Sequence, residues 1–136
     1  MLPDTEVLVV AHLRATDAVM ALTQRVGTKT PVSLDGQFAK VTLLDEGQNR
    51  RSSALHVVHP LMQIDCYGSS NRDSAHAEAS LLARTIREAI VAMPNASHSG
   101  AVVTAARATQ RRLPDTELEP ARERYIVTCE LTLHAA

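Results

Sequence analysis

His56 and His59 come nearest to a metal-binding motif in this 136-residue chain. Two imidazoles at that spacing can touch one ion, but a stable site wants three or four ligands. No cysteine or carboxylate completes the set nearby, and Asp65 or His76 would have to be brought in by the fold. Solvated or half-buried imidazoles are the expectation. Cys66 and Cys129 both fall on the apolar phase of strand-like alternations. A cysteine nucleophile needs a general base and an exposed setting, so both are read as small core residues. A disulfide between them would need adjacent strands and an oxidising compartment. Gly68 sits at a strand-to-helix junction, where a phosphate loop would lie, but the five glycines are scattered and form no glycine-rich loop. A tight turn is the reading there. Serine, histidine and aspartate are all present, yet Gly-x-Ser-x-Gly is not. The Asp45–Glu46 pair falls in a loop, where solvated charge is the default. The expectation is a chain without catalytic set, cofactor or metal.

The bulk numbers exclude other classes. A formal net charge of -1 gives no basic field to hold phosphates non-specifically. Aromatic content of 2%, with no tryptophan, leaves no stacking platform for single-stranded nucleic acid. Hydrophobic content of 45% against 21% charged residues is that of a globular chain. The length suits one domain, residues 1–136. No stretch is long and apolar enough to span a membrane. The opening Met1-Leu2-Pro3-Asp4 lacks the basic segment and apolar run of a secretory signal. Cytoplasm-like conditions are the expectation.

The elements that would position these residues can be read in order. Pro3 and Asp4 suit a helix start, with Val7, Val10 and Ala11 on one face and a second cap at Thr16 or Asp17, giving short helices over 4–15 and 17–24. After the Asp35-Gly36 turn, Ala39, Val41 and Leu43 alternate with Lys40 and Thr42 as a strand with one buried face. Residues 45–55 read as an exposed loop. A strand runs from about Leu55 to Tyr67, with Pro60 marking an edge or a bulge. Ser69–Asn71 offer capping chemistry for a helix over 72–93, whose Ala75, Ala79, Leu82, Ile86, Ala89 or Ile90, and Met93 form one apolar stripe. A strand follows Gly100 to about Arg112. The last strand buries Tyr125, Val127, Cys129, Leu131 and Leu133 and turns Thr128, Glu130 and Thr132 outward. The final two strands should pair as an antiparallel hairpin with a long tip at 113–122.

The fold class expected is α+β, a single two-layer domain. It has a mainly antiparallel sheet of four to five strands, with a long helix and an N-terminal helix on one face. Loop 45–55 and tip 113–122 are long extensions on a small domain, and with no catalytic set their natural use is protein–protein contact.

The chain resembles the tail terminator, or tail completion, proteins of siphophages, especially those of actinobacterial hosts. The resemblance covers nearly the whole chain. Leu2-Pro3-Asp4 precedes an apolar helix. Ile64-Asp65-Cys66-Tyr67-Gly68 ends a strand, then come polar residues and an Ala/Arg-rich helix ending near Pro94. Gly100-Ala101-Val102-Val103, Leu113-Pro114-Asp115 and Arg124-Tyr125-Ile126-Val127 complete it. Cys66 departs from the branched apolar residue more usual there. The resemblance implies a hexameric ring on the head-proximal end of the tail tube. The ring stops tube growth and joins the head–tail connector or stopper protein, and genomic DNA passes through its lumen without sequence-specific binding. It further implies that Arg50 and Arg51 contact an adjoining ring. The stretch from Arg111 to Arg122, with Arg112, Leu113, Asp115, Glu117 and Glu119, would contact a neighbouring subunit or the tube protein. Another neck protein, a cellular ligand-binding or regulatory domain, and a small hydrolase are the alternatives. The hydrolase would need both Cys66 and His76 for activity.

Overall fold

The computed structural model describes residues 4–31, 35–47, 57–71, 73–118 and 121–136. Arg50, Arg51, His56 and Glu119, and with them most of the 45–55 loop, lie outside the described residues.

The chain opens with α1 (Thr5–Arg14), capped by Asp4, whose carboxylate accepts from the Glu6 and Val7 amides at 2.9 and 3.4 Å. The side chains α1 buries are Leu8, Val9 and Leu13, while Val7 is 61% exposed. The Val7–Val10–Ala11 face expected from the sequence is therefore not the buried one. Residues 7–11 are apolar almost all round, so periodicity does not choose a face there, and contact with the sheet does. A four-residue α2 (Asp17–Met20) follows, shorter than expected. Thr16 precedes it but bonds back to the His12 carbonyl at 2.8 Å rather than capping it.

Among the described residues the sheet has six strands: β1 (Val26–Gly27), β2 (Phe38–Asp45), β3 (Val57–Val58), β4 (Leu61–Tyr67), β5 (Ala101–Arg112) and β6 (Arg124–Ala135). Every pairing is antiparallel except β1 with β2, and β6 is central, with β4 and β3 on one side and β5 on the other. That is one more than the four to five expected, and β1 and β3 are two residues long, too short to leave an alternating pattern. The expected strand from Leu55 to Tyr67 is broken at His59–Pro60. Pro60 has no N–H to give the ladder, but its carbonyl accepts from the Leu131 amide at 3.1 Å. The proline thus marks a break between two strands that both pair with β6, not an edge.

One face of the sheet carries the core. Val41, Met62, Ile64, Val127, Cys129, Leu131 and Leu133 meet the stripe of α3 (Ala75–Val91), and α1 packs over β2. The Ala75, Ala79, Leu82, Ile86, Ala89, Ile90 and Met93 stripe is buried as its spacing predicts. The helix begins three residues later than expected. Asn71 spends its side chain on the Asp73 amide, and Ser74 precedes the helix without a side-chain cap bond.

His12 and His98 pack ring to ring, centroids 5.3 Å apart, where α1 crosses the end of α3. Their Nε2 atoms donate to the carbonyls of Ala89 and Met93, each at 2.8 Å. Burial, reinforced by His98 and opposed by the Ala89 hydrogen bond, holds His12 below its usual 6.5. The unfolded chain therefore binds this proton more readily than the native one. Native stability is full above pH 6.5 and declines as pH falls from there through the lowered folded value. Thermal unfolding of the wild type should lose more midpoint between pH 7.5 and 5 than that of His12→Gln, which keeps a donor. Equal losses would show that His12 contributes nothing to acid sensitivity.

Candidate interaction surface

The tip joining β5 to β6 is not a free loop. Leu113 donates its amide to the Arg124 carbonyl at 2.9 Å, and Asp115 and Arg122 exchange backbone hydrogen bonds at 2.8 and 3.0 Å. The hairpin ladder thus extends two steps past the named strands and folds over the sheet face opposite the helices. A second, polar cluster forms there. Phe38 and Tyr67, opposite one another on β2 and β4, stack with centroids 4.3 Å apart. The guanidiniums of Arg25 and Arg122 lie over Phe38 at 5.6 and 6.0 Å. Tyr67 donates its hydroxyl to Asp115 Oδ2 at 2.7 Å. Arg124 lies 3.5 Å from Asp115 and 4.0 Å from Asp65, and donates through Nε to the Leu113 carbonyl at 2.8 Å. Burial, then the bond to the Asp115 carboxylate, pushes the Tyr67 phenol up to about 12. Arg122 donates to the Gly68 and Gly36 carbonyls.

The residues marked from the sequence therefore divide. Asp115 and Arg122 are 9% and 7% exposed and are engaged inside the chain's own fold. A partner cannot reach them without opening the tip. Arg111, Arg112, Leu113 and Glu117 are exposed, with Leu113 presenting an apolar side chain at 39%. Arg112 is held by Glu123 through bonds of 3.2 and 2.8 Å, and that guanidinium keeps the Glu123 carboxyl below its usual range. No sequence signal marks Tyr67, Asp65 and Arg124 as partners of the tip, because the polar phase of a strand normally faces water. Their meeting depends on the register Asp65↔Ile126 and Tyr67↔Arg124, which no local pattern encodes.

The candidate chemistry looks different in three dimensions. Cys66 and Cys129 are buried free thiols. Burial pushes both thiols up, Cys129 to about 12, so neither is poised as a thiolate. Their strands are adjacent, but Cys66 faces Tyr125 and Cys129 faces Met62. Four residues of strand separate them, about 13 Å, beyond disulfide reach. His59 pairs with Thr132 at 3.1 Å and His76 with the Tyr125 hydroxyl at 3.1 Å. Among the described residues, no three His, Cys, Asp or Glu side chains gather as a metal site. Gly68 is a close-packed junction: a Cβ there would lie 2.1 Å from the Ala75 carbonyl oxygen.

No family model matches the chain, and no curated protein sequence does. Among solved structures, the fold is similar to that of a chain in the virion of a native gene transfer agent particle. The TM-score is 0.65 at 14% identity, covering 95% of this chain and 93% of that one. At that identity the likeness establishes a shared fold over essentially the full length of both chains.

Proposed function

We propose that this chain is a structural protein of a phage-like virion. Within that class we propose the tail terminator: a ring subunit at the head-proximal end of the tail that caps the tube, halts its growth and presents the joining surface to the head. The observation that carries the reading is the end-to-end fold match with a chain of a gene transfer agent virion. The resemblance of the sequence to siphophage terminators supports that position in the particle. The exposed part of the tip, Arg111, Leu113 and Glu117, would contact a neighbouring subunit or the tube protein. Arg50 and Arg51 would contact the adjoining ring. DNA would pass through the lumen without sequence-specific contact.

The test is electron microscopy of lysates from a virus carrying an early stop codon in this gene. Overlong or irregular tails detached from full heads are expected. Tails of normal length beside heads that leak DNA would move the chain to a head-side neck position, and intact infectious virions would refute a structural role.

A further inference from the structure

The two lateral edges of the sheet are finished differently. On one side, β1 covers Ala39 and Lys40, the Glu6 carboxylate accepts from the Leu43 amide at 2.9 Å, and Arg14 bonds the Val26 carbonyl at 2.6 and 2.9 Å. That edge is closed. On the other side, β5 pairs only with β6 among the described residues, over twelve residues, about 40 Å of strand. The phase of the ladder follows from the tip. Since Leu113 and Asp115 bond across to Arg124 and Arg122, the odd residues Ala105–Arg111 face β6 in the same way, and Ala106, Ala108 and Gln110 aim their amides and carbonyls outward. An open edge of this length is a template for association.

The open edge is also cationic. Arg107 and Arg111 stand exposed on its outer face, with Arg107 82% exposed and only loosely paired to Glu130 at 3.3 Å. On the inner side, α3 turns its Glu78 flank toward Gln37 and Ser69. Arg87, half a turn round the helix from Glu78, lies on the opposite flank, on the β5 side. Two copies joined β5 to β5 would set these arginines against one another, a like-charge juxtaposition that costs several kcal/mol. The closed edge ends in a corner of opposite character. Beyond Leu43, whose amide donates to Glu6, β2 runs out through exposed Leu44 (51%), Asp45 and Glu46.

We propose that the β5 edge of one copy docks, head to tail, on the Leu44–Glu46 corner of a second copy. This contact repeats around the ring, so the inference deepens the ring reading above and rests on it. Arginines meet carboxylates, and the alanines of β5 meet Leu44. Because the two surfaces differ, each docked copy leaves one of each free, which is the condition for a ring. The closed edge cannot extend the sheet. The partner therefore meets β5 through side chains and the loop end of β2, not through a full strand.

The test uses two variants of the whole chain. Arg107→Glu/Arg111→Glu reverses the edge, and Leu44→Lys/Glu46→Lys reverses the corner. All four side chains are exposed, so unfolding temperatures should stay near that of the wild type. In sedimentation velocity, wild-type self-association should weaken with added salt, and each variant alone should associate at least about a hundredfold more weakly. Mixed one to one, the variants should regain association, because each edge then meets a corner of opposite sign in an alternating ring. A wild type monomeric at millimolar concentration, variants that associate like wild type, or a mixture that stays monomeric would each overturn the contact. Restored association combined with normal tails in the stop-codon virus would keep the contact and remove the virion role. Aberrant tails with association indifferent to the reversals would keep the role and remove the contact.

Discussion

Gly68→Ala should destabilise the fold by about 3 kcal/mol or more, at the upper end of what overpacking usually costs. Gly68 ends β4 and lets α3 start against the sheet. Its amide donates to the Glu123 carbonyl at 3.1 Å, and its own carbonyl accepts from Arg122. A Cβ would lie 2.1 Å from the Ala75 oxygen, 2.8 Å from its carbonyl carbon and 2.9 Å from its Cα. All three are backbone atoms of the first helical turn, which cannot move without shifting the stripe that α3 buries. Gly36→Ala is the matched control. Its Cβ would meet only the end of the Arg25 side chain at 2.9 Å, which can swing aside, so a cost below about 1 kcal/mol is expected. Urea denaturation of the two variants reads the difference directly. If both midpoints fall within error of the wild type, the junction is not close-packed.

The second large effect is expected at Asp115. Its carboxylate accepts from the Tyr67 hydroxyl and from the Glu117 amide at 3.1 Å, and it faces Arg124. Asp115→Ala leaves the phenol and most of the guanidinium's compensation missing on a face where the side chains of Asp115 and Arg124 are only 12% and 17% exposed. A loss of about 2–4 kcal/mol is expected, since removing one partner of a buried charged pair strands the other. The double change with Tyr67→Phe should cost less than the sum of the singles by about 1 kcal/mol, because both remove the same bond. The tip should also open. Trypsin should cut Asp115→Ala within 111–124 faster than it cuts the wild type. Additive costs and unchanged cleavage would mean that the tip is held by its backbone ladder alone.

Most of the architecture was legible where burial and local period agree. The α3 stripe repeats every three or four residues and the last strand every two, so each pattern names both the element and its buried face. The same logic placed Cys66 and Cys129 in the core. It failed on α1, where Val7 to Ala11 carry apolar side chains in nearly every direction, and on β1 and β3, which are shorter than any period. The tip was legible as a long insertion rich in charge, but not as a structure that closes on itself.

The sequence by itself determined the α+β class, the long helix, the terminal hairpin and the apolar side of each major strand, because these follow from spacing along the chain. The tertiary structure decided which residues of the candidate interaction surface remain outside. Asp115 and Arg122 turn inward because the β4–β6 register brings Asp65, Tyr67 and Arg124 beneath the tip, and a buried charge is stable only beside such partners. It also decided that one sheet edge is sealed by Glu6, Arg14 and β1 while β5, among the described residues, pairs only with β6. Edge order depends on strand pairing between distant segments, and the side-chain pattern of a strand is the same whether its neighbour is present or absent.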